Sequence, residues 1–179
     1  MRYRRSKEPG ATYFFTLVTF QRRHIFSNDT NVDRWHRAVE AVRQKRAFTV
    51  EAEVILPDHI HLMWTLPPND ADYATRIRLA KTTFTKSQPR RETTTVASRA
   101  AKRESNVWQR RYWEHTIRNE ADFIAHLDYI HFNPVHHGLV THALDWQWSS
   151  LRCWIERGVY DQRWGSQDMM QTPEGSGPD

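Results

Sequence analysis

Two histidines, His59 and His61, alternate with apolar residues in the stretch VILPDHIHLMWTLP, residues 54–67. Side chains of a strand point to alternate faces, so both imidazoles project to one side while Ile60, Leu62 and Trp64 project to the other. That spacing suits two nitrogens gripping one metal ion. It equally suits two polar residues on a solvated sheet face. Two ligands are too few for a tight site, so the metal reading requires a third from elsewhere. Far downstream, DYIHFNPVHHG sets Tyr129 and Asn133 four residues apart, on one face of a helix. Asn133 offers an amide oxygen to a hard cation, and Tyr129 a phenol able to act as a nucleophile beside it. His126 and His136 fall on the same flank, in a position to help with a proton. Taken singly, each has an ordinary account: Tyr129 as a half-buried helix aromatic, Asn133 as the residue before Pro134.

The elements that must position these groups are legible in the apolar pattern. TYFFTLVTF, residues 12–20, is aromatic and β-branched on both faces, which predicts a central strand. Val32, Trp35, Val39 and Val42 form a helical stripe with Arg and Lys opposite. Val50, Ala52 and Val54 alternate with Thr49, Glu51 and Glu53, the mark of a half-buried strand, and Pro57-Asp58 supplies the turn into the histidine strand. A second helix carries Tyr73, Ile77, Ala80 and Phe84 inward behind Asp70 or Asp72 as cap. VWQRRYWEHTIR predicts a further strand, which includes the competing tyrosine, Tyr112. Asn119 caps a helix with Phe123, Leu127 and Ile130 inward, ended by Pro134 and Gly138, and SSLRCWIERG predicts a short Ser-capped helix. The order strand-helix-strand-strand-helix-strand predicts an α+β fold, a ferredoxin-like antiparallel sheet with helices mainly on one face. We expect one domain over residues 1–165 and a Gly-, Pro- and Ser-rich disordered tail over 166–179.

Composition narrows the partners. The 179 residues carry a formal charge of +5 before ten histidines are counted, with a pI near 9.6. That balance favours a polyanion, nucleic acid before a membrane surface. The single cysteine, Cys153, rules out an internal disulfide and a thiolate zinc site. The start, MRYRRSKEPG, has no secretory pattern and no apolar run reaches membrane-spanning length, so a soluble cytoplasmic protein is expected. Basic residues gather in an N-terminal arm (Arg2, Arg4, Arg5 and Lys7, with Tyr3 interleaved), after the first strand (Arg22, Arg23), in a long polar loop (Arg90, Arg91, Arg99, Lys102, Arg103) and just beyond it (Arg110, Arg111). They are candidates for phosphate contact, and Tyr3 for stacking an unpaired base.

The combination of LPDHIHLMW, VWQRRYWEHTIR, DYIHFNPVHHGLV and DWQWSS, spread over most of the chain, resembles the HUH (His-hydrophobe-His) single-tyrosine transposases of the smallest insertion sequences. More closely it resembles their REP-associated (repetitive extragenic palindromic) tyrosine transposase branch. The resemblance implies a metal pair at His59 and His61, a helix-borne ligand at Asn133 and a nucleophile at Tyr129, with Mg²⁺ or Mn²⁺ as cofactor. Asn rather than Gln at position 133 fits the domesticated branch. It also implies nicking and rejoining of single-stranded DNA through a 5′-phosphotyrosine. The partner would be a DNA hairpin with a short single-stranded foot, handled in the bacterial cytoplasm near the nucleoid by a monomer, without a membrane. Two other readings stand beside it: a non-catalytic binder of repeat hairpins, and a metal-dependent phosphoesterase using water, for which Tyr129 would be dispensable.

Overall fold

The computed structural model describes residues 8–89 and 106–166. Four strands, β1 (Thr12–Val18), β2 (Thr49–Ile55), β3 (His59–Thr65) and β4 (Trp113–Thr116), form one antiparallel sheet in the order β2-β3-β1-β4. Helix α1 (Asp29–Arg43) joins β1 to β2, and α2 (Tyr73–Ser87) lies between β3 and β4, which gives the ferredoxin-like order. Helix α3 (Glu120–His136) and the short α4 (Leu151–Glu156) follow.

The sheet separates two cores, and alternation along each strand assigns residues to them. Tyr13, Phe15, Leu17, Ile60, Leu62 and Trp64 pack with Val32, Trp35 and Val42 of α1 and Ile77, Ala80 and Phe84 of α2. The expected face-sharing helices of the ferredoxin-like unit are these two. The opposite face is covered as well: Phe14, Ala52, Val54 and Met63 pack with Leu127, Ile130 and Val135 of α3 and with Leu151. Helices on both faces explain why six of the seven β3 residues are buried, histidines included.

Local chemistry departs from the simple pattern at four places. The β2 alternation is interrupted by a bulge between Val50 and Ala52, which pair with Trp64 and Met63. Val50 therefore packs on the first core while Ala52 and Val54 enter the second, so the three do not share one face. The strand expected from Val107 is broken: Trp108 bridges Thr19 and Gln109 N–H donates to Val18 O, residues 110–112 leave the ladder, and β4 begins only at Trp113. Pro134 lies inside the last turn of α3 and does not end it. The stop is Gly138, at φ +66°, with Leu139 N–H donating to Pro134 O and Gly138 N–H to Val135 O. Finally, DWQWSS lies along the outer edge of β2. Trp148 O accepts from Ile55 N–H and Ser150 N–H donates to Glu53 O, which shields that edge from pairing with another chain. Ala143 N–H donates to Gly165 O and His142 bridges Ser166, and 167–179 lie outside the described residues. Among the described residues no helix is long and apolar enough to cross a membrane.

Candidate functional site

The Pro57-Asp58 turn, closed by Leu56 N–H donating to His59 O, delivers both histidines to the face covered by α3. Their rings lie 4.8 Å apart at 84°, and they are 3% and 0% exposed. A solvated sheet face is thereby excluded. Each ring is held by its Nδ1: His59 by Asp58 Oδ1 at 2.6 Å, His61 by Thr16 Oγ1 at 2.9 Å. Burial acts to raise the Asp58 carboxyl, but the His59 hydrogen bond and the His59 and Arg22 charges outweigh it and hold it down at about 2. Ionised, Asp58 only accepts, so His59 Nδ1 donates to it and Nε2 is the ring nitrogen left to meet a ligand. Burial, then the neighbouring His59 and His137, push His61 well below the ordinary histidine range, so it is neutral at pH 7. Both Nε2 atoms are buried without a hydrogen-bond partner.

Helix α3 brings the other half. Asn119 caps it by accepting from Asp122 N–H, and apolar packing fixes its rotation, so Tyr129 sets its ring 5.1 Å from that of His61. One turn on, Asn133 is 1% exposed, and neither its Oδ1 nor its Nδ2 has a hydrogen-bond partner. Three atoms of ligand type, the two His Nε2 and Asn133 Oδ1, are thus buried and unsatisfied together with the Asn133 Nδ2 donor, an arrangement that costs stability unless something binds there. Tyr112 instead packs against the first core, 6.2 Å from the Phe15 ring and on the opposite face of the sheet.

Residues 9–133 match the family described as Transposase IS200 like. The chain belongs to the IS200-like transposase family. It is 37% identical over 162 residues to the REP-associated tyrosine transposase of Escherichia coli, covering 90% of this chain and 89% of that protein. It is 41% identical over 163 residues, 91% and 92% of the two chains, to a candidate REP-associated tyrosine transposase of Haemophilus influenzae. A solved structure of a REP-associated tyrosine transposase bound to a REP hairpin superposes with a TM-score of 0.77 at 33% identity over 99% of each chain. The IS200-like match runs from the residues before β1 to Asn133, so it contains the His pair and Tyr129. Family membership makes the protein a DNA-processing enzyme and is consistent with a divalent metal.

Not every residue expected in this IS200-like site lies in it. His136 is exposed against His137, and His137 is the residue that reaches His59, with ring centroids 5.2 Å apart. His126 belongs to a separate group with His115 and Asp122, whose potential ligand atoms lie within 4.8 Å of one another. That group is largely self-satisfied. His115 Nε2 and the Arg118 N–H and Nε–H meet Asp122 Oδ2, and His126 Nδ1 lies 2.8 Å from Asp122 O. The two imidazole planes are 11° from parallel at 4.6 Å, so they do not converge on one point as in-plane coordination of an ion requires. The arrangement serves as a clamp between β4 and the first turn of α3.

Sequence reasoning missed Phe14, Thr16 and Asp58. Phe14 touches His61, Tyr129, His126 and Trp113 with centroids 5.5, 5.8, 4.9 and 5.5 Å away. Only strand pairing reveals this, because β1 lies between β3 and β4. Of the basic candidates, Arg22 pairs with Asp58 at 3.3 Å, Arg23 donates to Asn106 O, and Arg110 and Arg111 are exposed. Arg22 follows Gln21 in a turn where both adopt left-handed φ, +49° and +56°. This costly conformation is held by Thr19 N–H and Oγ1–H donating to Asp58 O. Arg2, Tyr3, Arg4, Arg5, Lys7, Arg90, Arg91, Arg99, Lys102 and Arg103 lie outside the described residues.

Proposed function

We propose that this chain nicks and rejoins single-stranded DNA at REP-type hairpins, with Tyr129 as the nucleophile. The observation that carries the reading is the Tyr129 ring, 5.1 Å from His61, on the face where both His Nε2 atoms and the Asn133 amide are buried and unsatisfied. The Tyr129 oxygen attacks the scissile phosphorus, and the bond to the 3′ oxygen breaks. DNA is left attached through a 5′-phosphotyrosine opposite a free 3′-hydroxyl, and the reverse attack rejoins the strand without an external energy source. A phenol ordinarily titrates near 10, so a base must take its proton as attack proceeds.

Two imidazoles and an amide oxygen suit a divalent ion such as Mn²⁺ or Mg²⁺, held by His59, His61 and Asn133. When bound, that ion supplies Lewis-acid polarisation of the scissile phosphate. The hydrogen bonds to Asp58 and Thr16 keep both rings turned with Nε2 toward the site. Arg22, Arg23, Arg110 and Arg111 supply phosphate contacts on the described surface, and the basic residues of 2–7 and 90–103 add the remaining groups for the stem and foot. The tyrosine helix is tied to its own chain through His115–Asp122, Tyr160–Asp128 and Ser150–His131 contacts, which supports a monomer acting in its own site.

The test is a denaturing gel after incubation with a REP hairpin carrying single-stranded flanks and Mn²⁺. The wild type should give a covalent protein–DNA band, and Tyr129→Phe should give neither band nor cut while binding the hairpin as before. Cleavage by Tyr129→Phe would transfer the reading to a water-using phosphoesterase, and binding without any cut by the wild type would leave a non-catalytic binder.

A further inference from the structure

Strand register places a half-buried aromatic beside the histidine pair. His61 of β3 pairs with Thr16 of β1, and Thr16 pairs with Trp113 of β4, so the three side chains form one row on the same face of the sheet. With neighbouring strands about 4.8 Å apart, Trp113 stands about 10 Å from His61. The next row holds Met63, Phe14 and His115. Along β4 the Trp113 and His115 rings are parallel within 4° at 5.8 Å, and His115 stacks on His126 of α3 at 4.6 Å and 11°. Three rings therefore form a column from α3 along β4, with Trp113 at its end. Phe14 meets Trp113 edge-on at 72°, and no other ring or cation of the described residues contacts the indole. β4 is an edge strand, and the exposed Arg110 and Arg111 lie immediately upstream.

We propose that Trp113 ends this column as the stacking platform for an unpaired nucleobase next to the scissile phosphate. This rests on the single-strand nuclease reading and adds a base-binding subsite to it. A base is the ligand that fits: a flat ring continues a stack of parallel rings, and aromatic platforms flanked by arginines are how proteins hold single strands without reading their sequence. The rigid support beneath the indole matters too. Asp122 fixes His115 and His126, so the platform is in place before DNA arrives and little ordering is needed on binding.

The experiment uses the full chain and two DNAs, a blunt REP hairpin and the same hairpin with single-stranded flanks carrying 2-aminopurine beside the cleavage position. Wild-type protein should quench the 2-aminopurine on binding. Trp113→Leu should abolish the quench and weaken binding of the flanked hairpin roughly 5- to 150-fold, the range for one stacked base. Its affinity for the blunt hairpin should be unchanged. Trp113→Phe keeps a ring and should retain most of the quench. Equal losses on both DNAs, or no loss on the flanked one, would overturn the subsite. If Trp113→Leu behaves as wild type while the wild type still forms its Tyr129 adduct, the subsite alone fails. If the wild type neither binds the flanks nor forms an adduct, the nuclease reading fails with it.

Discussion

Asp58 Oδ1 lies 2.6 Å from His59 Nδ1, while Asp58 Oδ2 lies 3.3 Å from the Arg22 guanidinium. One carboxylate thus joins a candidate metal ligand to a candidate phosphate-binding arginine. Asp58→Asn keeps the shape and removes the charge that fixes the His59 proton on Nδ1. Mn²⁺ affinity of the DNA-free protein, measured by calorimetry, should fall about 10- to 100-fold. Arg22→Gln should leave that affinity close to wild type but weaken hairpin binding and lower the salt slope by about one. Equal Mn²⁺ affinities for wild type and Asp58→Asn would show that the His59 ring is oriented by something else.

Chelation should separate chemistry from recognition. The proposed phosphate contacts are arginines, whereas the proposed ligands are buried under α3. EDTA should therefore stop cleavage while hairpin affinity, followed by gel shift at constant ionic strength, changes less than about threefold, or under about 0.7 kcal/mol. A tenfold or greater loss of binding would place the metal in recognition as well.

Much of this was legible in the sequence. The apolar stripes of α1 and α2 and the two-residue Pro57-Asp58 turn follow from local periodicity, and so does the separation of His59 and His61 from Ile60 and Leu62. What could not be read depends on neighbours distant in sequence. The histidines are buried because α3, some sixty residues later in the chain, lies over them. Val50 and Ala52 occupy opposite faces because a bulge shifts register, and one extra residue leaves no mark on an alternating pattern. Pro134 suggests a helix end, yet it sits where the helix is already closing and its carbonyl joins the Gly138 stop. His137 outranks His126 and His136 near His59 because it follows the end of the helix, beyond the reach of helical spacing.

The Asp122 clamp should give an acid-sensitive stability. Burial acts to raise its carboxyl, but hydrogen bonds from Arg118 and His115 dominate and hold it below the ordinary 3.8. A carboxyl lowered on folding contributes stability that is complete above its unfolded value and is lost as pH falls through the folded one. Wild type should therefore exceed Asp122→Asn by about 1–3 kcal/mol at pH 7, the cost of weakened buried hydrogen bonds. The gap should narrow as pH falls from 5 to 3. Asp58 titrates low in both proteins and cancels in the difference. Urea melts at several pH values in EDTA check this, and a gap independent of pH would show that the clamp acts through shape alone.

Ser149 and Ser150 look interchangeable as caps of α4, but their hydroxyls do different things. Ser149 Oγ accepts from Leu151 N–H at 3.2 Å, an ordinary local turn contact near the surface. Ser150 occupies the cap position and makes no cap bond with its side chain. Its Oγ accepts from Glu53 N–H and lies 2.9 Å from His131 Nε2, so it ties the edge of β2 to the tyrosine helix. His131 is fully buried and held low by that burial, at about 3, so it is neutral and has no water to turn to. Ser150→Ala strands a main-chain N–H and an imidazole together, which costs about 1–3 kcal/mol. At about 2–4 °C per kcal/mol for a chain of this size, thermal melting should drop by about 2–12 °C. Ser149→Ala should cost less than about 1 kcal/mol. If the two variants melt together, the link from β2 through Ser150 to α3 does not hold that helix in place.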